Sequence, residues 1–306
     1  GTFKMSGGFI SNNLGLGVSV GSDSEFNMSG GEITRNKGGG VEVYIGSKTL
    51  TVSGAAKIKE NTVNGKPNNV YLPKGKDFIA TNLTKGAEIS VTTAEPPERN
   101  KTIKVAGVVE DYSAYIKSDQ AGYEVKFISD STTTGMVLAI QEHKHCLCGE
   151  TTCNGRDDHL KRETDFTPWT DALAKAQNGN GKTASNSLPK NPGNYYLVDD
   201  VTLTGTWTLK NNITLDLNGK TITANVDFAA ICVTEGVTFT LCDCKGGKTA
   251  YGQITHAAGM TGSGVSMSGG EFHMYGGSIS GNTADVGGGV YMAGGQFTMS
   301  GGSITK

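Results

Sequence analysis

Charge imbalance, proline, cysteine and long apolar runs are all scarce in this sequence. Lys and Arg number 27 against 29 Asp and Glu, a formal net charge of −2. No basic field is present to draw nucleic acid or an anionic membrane surface. No run of 18 apolar residues occurs, so no segment reads as a membrane-spanning helix. No signal-peptide pattern is visible. The chain starts inside a repeat, so it is expected to be a piece of a longer precursor whose other parts hold signal and anchor. Six cysteines in 306 residues are too few for a disulfide scaffold. Proline numbers only 7, whereas glycine numbers 45. That much glycine without a three-residue period is not collagen, and regular apolar spacing argues against disorder.

What is present is a period. FKMSGGFISNN (3–13), FNMSGGEITRN (26–36), FHMYGGSISGN (272–282) and FTMSGGSIT (297–305) align, with a degenerate copy in LTVSGAAKIKEN (50–61). Successive copies lie 23 to 25 residues apart. Each begins with apolar residues two apart: Phe3/Met5, Phe26/Met28, Leu50/Val52, Phe272/Met274 and Phe297/Met299. Period two puts both side chains on one face of a strand. A Gly-Gly pair is expected to turn the chain, followed by Ile10, Ile33, Ile58, Ile279 or Ile304. Three residues later comes Asn13, Asn36, Asn61 or Asn282. Another alternating pair closes the unit: Val18/Val20, Val41/Val43, Val70/Leu72, Val265/Met267 and Val290/Met292.

Three short strands in about 25 residues predict one coil of a right-handed parallel β-helix, an all-β solenoid whose coils stack roughly 4.8 Å apart. No leucine-rich pattern appears, and a propeller needs a longer period. The recurrent Asn is expected to form a turn ladder, because Asn tolerates the left-handed conformation. YYLVDDVTLTGTWTLKNNITLDLNGKTIT (195–223) alternates in the same way without the consensus, and LDLNGKTI contains an Asn-Gly turn.

Composition divides the chain into four parts. Residues 1–94 are the closing coils of one β-helix. Residues 95–141, which alternate without a glycine ladder, read as a β-rich cap over an open coil end. Residues 142–194 hold a Cys/His module, a short helix at DALAKAQ (171–177) with Thr170 or Asp171 as N-cap, and an exposed loop (178–194). Residues 195–306 are the opening coils of a second β-helix.

HKHCLCGETTCNGRDDH (143–159) is the chemically distinctive stretch. Thiols and imidazoles at such short spacing suit tetrahedral zinc, with His143, Cys146, Cys148, Cys153 and His159 as ligands and His145 competing with His143. Metal binding would fold a glycine-rich loop that lacks its own core. A disulfide to Cys153 is the competing reading, and a catalytic thiol or open metal site comes third. Cys232, Cys242 and Cys244 read as buried coil cysteines, with a second metal site or a Cys232 bridge as the alternative. His256 and His273 read as satisfied or surface residues.

GGGVEVY (38–44), GGGVYMAGGQFTMSGGSIT (287–305) and LDLNGKTIT (215–223) resemble bacterial cell-surface proteins with right-handed β-helix repeats. HKHCLCG (143–149), with Asp158-His159 and Trp169 behind it, resembles the Cys/His module that often precedes such helices. The resemblance implies an extracellular or cell-surface location and suggests adhesion. Pectate lyases and polygalacturonases share the superfold, but their GHG, RIK and NTD motifs are absent here. The neighbouring carboxylates Asp157-Asp158 and Asp199-Asp200 point to opposite faces if on strands, and read as solvated turns. No G-x-S-x-G, H-E-x-x-H or phosphate loop occurs. A structural, adhesive segment able to associate head to tail therefore ranks first. Next comes a glycan binder using Tyr44, Tyr71, Tyr275 and Tyr291, and a polysaccharide enzyme ranks third.

Overall fold

The computed structural model describes residues 1–98, 101–130, 132–147, 163–245 and 251–306, apart from the side chains of 145, 146 and 163. They form two compact units, Gly1–Gln141 and Glu142–Lys306, each built round its own apolar core. Strand takes up 51% of the residues and helix 3%, so the chain is all-β. In both units the strands stack as parallel β-solenoid coils, about 11 turns in all.

In the first unit, Thr2–Ser11 pairs parallel with Glu25–Thr34, matching Phe3 with Phe26, Met5 with Met28 and Ile10 with Ile33. The next coil carries these rows on through Leu50, Val52 and Ile58. A further face stacks Val18–Val20, Val41–Val43 and Val70–Leu72. Phe26, Ile33, Val41, Leu50 and Ile58 are at most 1% exposed, and burial of each such side chain stabilises by about 1.5–3 kcal/mol. The Gly-Gly pairs bend the strand without ending it. Pairing shifts register around Ser6, and Gly31 has φ +86°, with room for a Cβ denied by the Gly7 carbonyl carbon at 2.8 Å.

The asparagines do form a ladder. Asn13 Nδ2 donates to Asn36 Oδ1, Asn36 Nδ2 to Asn61 Oδ1, and Asn61 Nδ2 to Asn69 Oδ1, at 2.8, 2.8 and 2.9 Å. Asn69 Nδ2 ends the chain of donors on the Asp119 carboxylate at 2.6 Å. The left-handed conformation falls one residue earlier than expected, at Asn12, Arg35, Glu60 and Gly281 (φ +55° to +65°). The ladder Asn is thus selected for its amide, which bonds to neighbours above and below, and its predecessor makes the turn. In the second unit His256 takes one such place, with Nδ1 2.7 Å from Asn282 Oδ1.

Within 95–141, Ile103–Gly107 and Ile116–Ser118 pair parallel with Phe78–Leu83 and Glu88–Thr93. These residues continue the coil. The hairpin Tyr123–Ser129 and Thr134–Ile140 then adds antiparallel to Ile103–Gly107, and its Val125, Met136 and Leu138 join the core.

The second unit has the same plan. Ile213, Phe239, Phe272 and Phe297 make one inward row, with Phe272 stacked on Phe239 and Phe297 at 5.2 and 4.9 Å between centroids. Helix Asp171–Asn178 (α1) starts at Thr170, whose hydroxyl accepts the Leu173 N–H. The loop 178–194 is less exposed than its polarity suggests: Ala184, Ser187 and Leu188 are buried. The indoles of Trp169 and Trp207 explain this. Their N–H groups need acceptors once buried, and they donate to the Ser187 and Pro189 carbonyls at 2.6 and 2.9 Å.

Candidate metal centre

A second small cluster lies on the outer side of the coils in this unit. Strand alternation sends Ile213 and Leu215 inward and Asp216 outward. Parallel register then places Tyr196, Asp216 and Cys242 in one outward row. An outward row normally meets water. Here His143–Cys146 pairs antiparallel with Glu163–Trp169, setting His143 opposite Phe166. Phe166, Tyr196 and Cys242 are buried together, flanked by Leu147 and Tyr275.

Asp216 is the polar centre of this cluster and is 0% exposed. Its Oδ1 accepts the backbone N–H groups of Asn218 (2.7 Å) and Cys244 (3.0 Å). Its Oδ2 faces His143 Nε2 at 2.7 Å. The imidazole is fixed in turn, stacked on Tyr196 at 4.4 Å and meeting the Phe166 ring edge-on at 5.6 Å. Cys244, in the turn after Thr238–Cys242, donates its S–H to Asn218 Oδ1 at 3.5 Å. The ligand atoms of His143, Asp216 and Cys244 all lie within 4.8 Å of one another.

The surroundings are electronegative. Although Cys244 as a residue is exposed, partial desolvation of its sulfur by the groups around it pushes the thiol above its ordinary range, and the Asp216 charge adds to the effect. Cys242 is raised in the same way, with burial the larger cause. The Asp243 carboxyl also lies above its usual value because burial outweighs the N–H donors of Gly252, Gly219 and Lys245.

Of the ligands expected from the sequence, His143 is at this centre. Cys148, Cys153 and His159 lie outside the described residues, as do the side chains of Cys146 and His145. Asp216 was not foreseen, and the sequence offers Cys244 only as an alternative, within a second metal site apart from His143. Their signal is the strand alternation of LDLNG together with the C-x-C of LCDC, but which row lies under His143 depends on coil register. The expectation of three buried coil cysteines holds only for Cys242; Cys232 is half-buried and Cys244 exposed. Even Cys242 does not face the coil interior: Leu241 takes the inward position and Cys242 points outward into the Phe166–Tyr196 cluster. The four tyrosines do not form a column. Tyr71 stacks beside Glu42 rather than Tyr44, Tyr291 stacks beside Ser266, and Tyr275 packs against the Phe166–Tyr196–Cys242 cluster. Asp199 and Asp200 are an exposed bend, with Asp200 Oδ1 accepting the Thr221 N–H. No protein-family model, curated protein or solved structure matches the chain.

Proposed function

We propose that this chain is a structural, adhesive segment of a large extracellular bacterial surface protein. The observation that supports this reading is the in-register stacking of whole coils. Repeated residues meet their own counterparts, Phe3 with Phe26, Val18 with Val41, and Ile279 with Ile304. The repetition is thereby used in packing, and a stack of this kind lengthens by adding coils. The first coil exposes Phe3, Phe9 and Leu14, and the last exposes Tyr291, Met292, Met299 and Ile304. Each edge carries unpaired rows that match the coil's own, which supports head-to-tail association with another copy. Beads coated with the chain should be retained on mucin-coated surfaces over bare ones, with no new reducing ends released from polysaccharide. Retention equal on both surfaces, or release of reducing ends, overturns the reading. Sedimentation velocity tests the head-to-tail step, which fails if the chain stays monomeric across the concentration range.

A groove of about 470 Å³ favours a second reading, glycan binding. It is lined by Asp227, Thr261, Ser266, Asp285 and Tyr291 among others. Carboxylates and hydroxyls suit sugar hydroxyls, and Tyr291, 40% exposed, offers a ring face. Tyr291→Ala should abolish saturable binding of neutral oligosaccharides in calorimetry. Unchanged binding removes the groove from consideration.

A further inference from the structure

We propose that His143, Asp216 and Cys244 bind one divalent cation of the zinc class, which ties strand His143–Cys146 to the flank of the second unit's coils. The proposal is independent of the adhesive reading. It shares only His143 with the ligand set that the sequence suggests.

The donor set decides the class of ion. An imidazole nitrogen, a carboxylate oxygen and a thiol sulfur make a mixed set that zinc accepts, whereas calcium and magnesium take oxygen ligands throughout. The placement is also that of a built site. Asp216 is 0% exposed, and two backbone N–H groups hold its Oδ1, which leaves Oδ2 directed at His143. The His143 ring is held by Tyr196 and Phe166. Outer contacts of this kind orient metal ligands and tune them. Asp243 adds a second carboxylate close by, its oxygens bonded to the backbone N–H groups of Gly219, Lys245 and Gly252.

The change on binding is small. The 2.7 Å contact between His143 Nε2 and Asp216 Oδ2 is a hydrogen bond. An ion at about 2.0–2.2 Å from each atom, in tetrahedral geometry, opens that contact by roughly 0.7 Å. Cys244 is exposed, so its side chain can turn inward to bring sulfur to about 2.3 Å from the ion. The S–H bond breaks as the metal–sulfur bond forms, and the proton leaves to solvent. The Nε2–H of His143 that makes that hydrogen bond also gives its proton to solvent as the Nε2–metal bond forms, and the neutral imidazole carries its one proton on Nδ1. A fourth position is left for water or another donor.

The test uses the full chain, reduced and metal-free, titrated with Co²⁺ and then competed with Zn²⁺. The wild type should take up the metal with a thiolate-to-cobalt charge-transfer band. Cys244→Ser should remove the band, and Asp216→Asn should weaken Zn²⁺ binding at least by the 10–100-fold that loss of an outer-shell partner costs. A variant with Cys146, Cys148 and Cys153 all changed to Ser should keep the band. Circular dichroism in chelator should show Cys244→Ser as folded as the wild type. X-ray absorption of the zinc-loaded wild type gives a check that needs no variant: one sulfur among nitrogen and oxygen neighbours. Absence of metal uptake, survival of the band in Cys244→Ser, its loss in the triple variant, or two or more sulfurs on zinc each overturn the proposal.

Discussion

Asn61 shows how much one side chain carries in this fold. It is 0% exposed. Its amide donates to the Ile33 carbonyl and to Asn69 Oδ1, and its Oδ1 accepts both the backbone and side-chain N–H of Asn36. Asn61→Ala leaves several of these groups buried without partners, at about 1–3 kcal/mol each. We expect a loss of about 3 kcal/mol or more in urea unfolding. Asn13 is the exposed outer rung, and Asn13→Ala should cost less than about 1 kcal/mol. The reverse order would remove the ladder as a source of stability. At the other end, burial raises the Asp119 carboxyl above 3.8, against the opposing hydrogen bonds from Asn69 and Thr92. Folding therefore holds this proton more tightly than the unfolded chain does. Asp119's contribution is fully present below pH 3.8 and is lost as pH rises through its raised native value. Carboxyl-detected NMR should place its midpoint above that of an exposed aspartate, and a midpoint at or below that value contradicts the assignment.

At the scale of the element, the same strand conformation has different costs at different depths. Gly8 (φ +82°) has open space where a Cβ would go, whereas a Cβ on Gly270 (φ +69°) would strike the Val237 and Thr234 carbonyl oxygens. Gly8→Ala should cost only the left-handed penalty of about 1–2 kcal/mol, and Gly270→Ala clearly more, read as urea midpoints. Equal midpoints would show that packing at the bend is unimportant. The aromatic row gives a second case. Phe272→Ala empties the space between Phe239 and Phe297 and should cost about 3–5 kcal/mol. A loss under about 1 kcal/mol in thermal or urea unfolding would mean that the row collapses to fill the gap.

At the scale of the molecule, the two units have separate cores, so damage to one should stay local. Ile58 is 0% exposed in the first unit, and Ile58→Ala should cost about 2–5 kcal/mol. Hydrogen exchange should then show lower protection in Gly1–Gln141 and unchanged protection in Glu142–Lys306. Loss of protection in both would show that they unfold as one.

The coil architecture was legible because its causes are local and repeated. Alternation sets which side chains point inward, and a period of 23 to 25 residues brings each to its counterpart. Stacking then follows, since any other register would bury polar side chains. The amide ladder was legible for the same reason, but its turn residue was misplaced by one, because backbone handedness leaves no mark on composition at Arg35 or Glu60. The burial of loop 178–194 was hidden, because its polar sequence does not reveal that two indoles beneath it need cover and acceptors. Of the candidate centre, the sequence marks His143 and, as an alternative, Cys244 as ligands, but of two separate sites. Asp216 and Cys244 stand 73 and 101 residues further along, and no short-range spacing relates them to it. They meet because parallel register places Asp216 beside Tyr196, and a strand from outside the repeats lays His143 across that row. Local pattern and period make the coils; contact between distant segments makes the site.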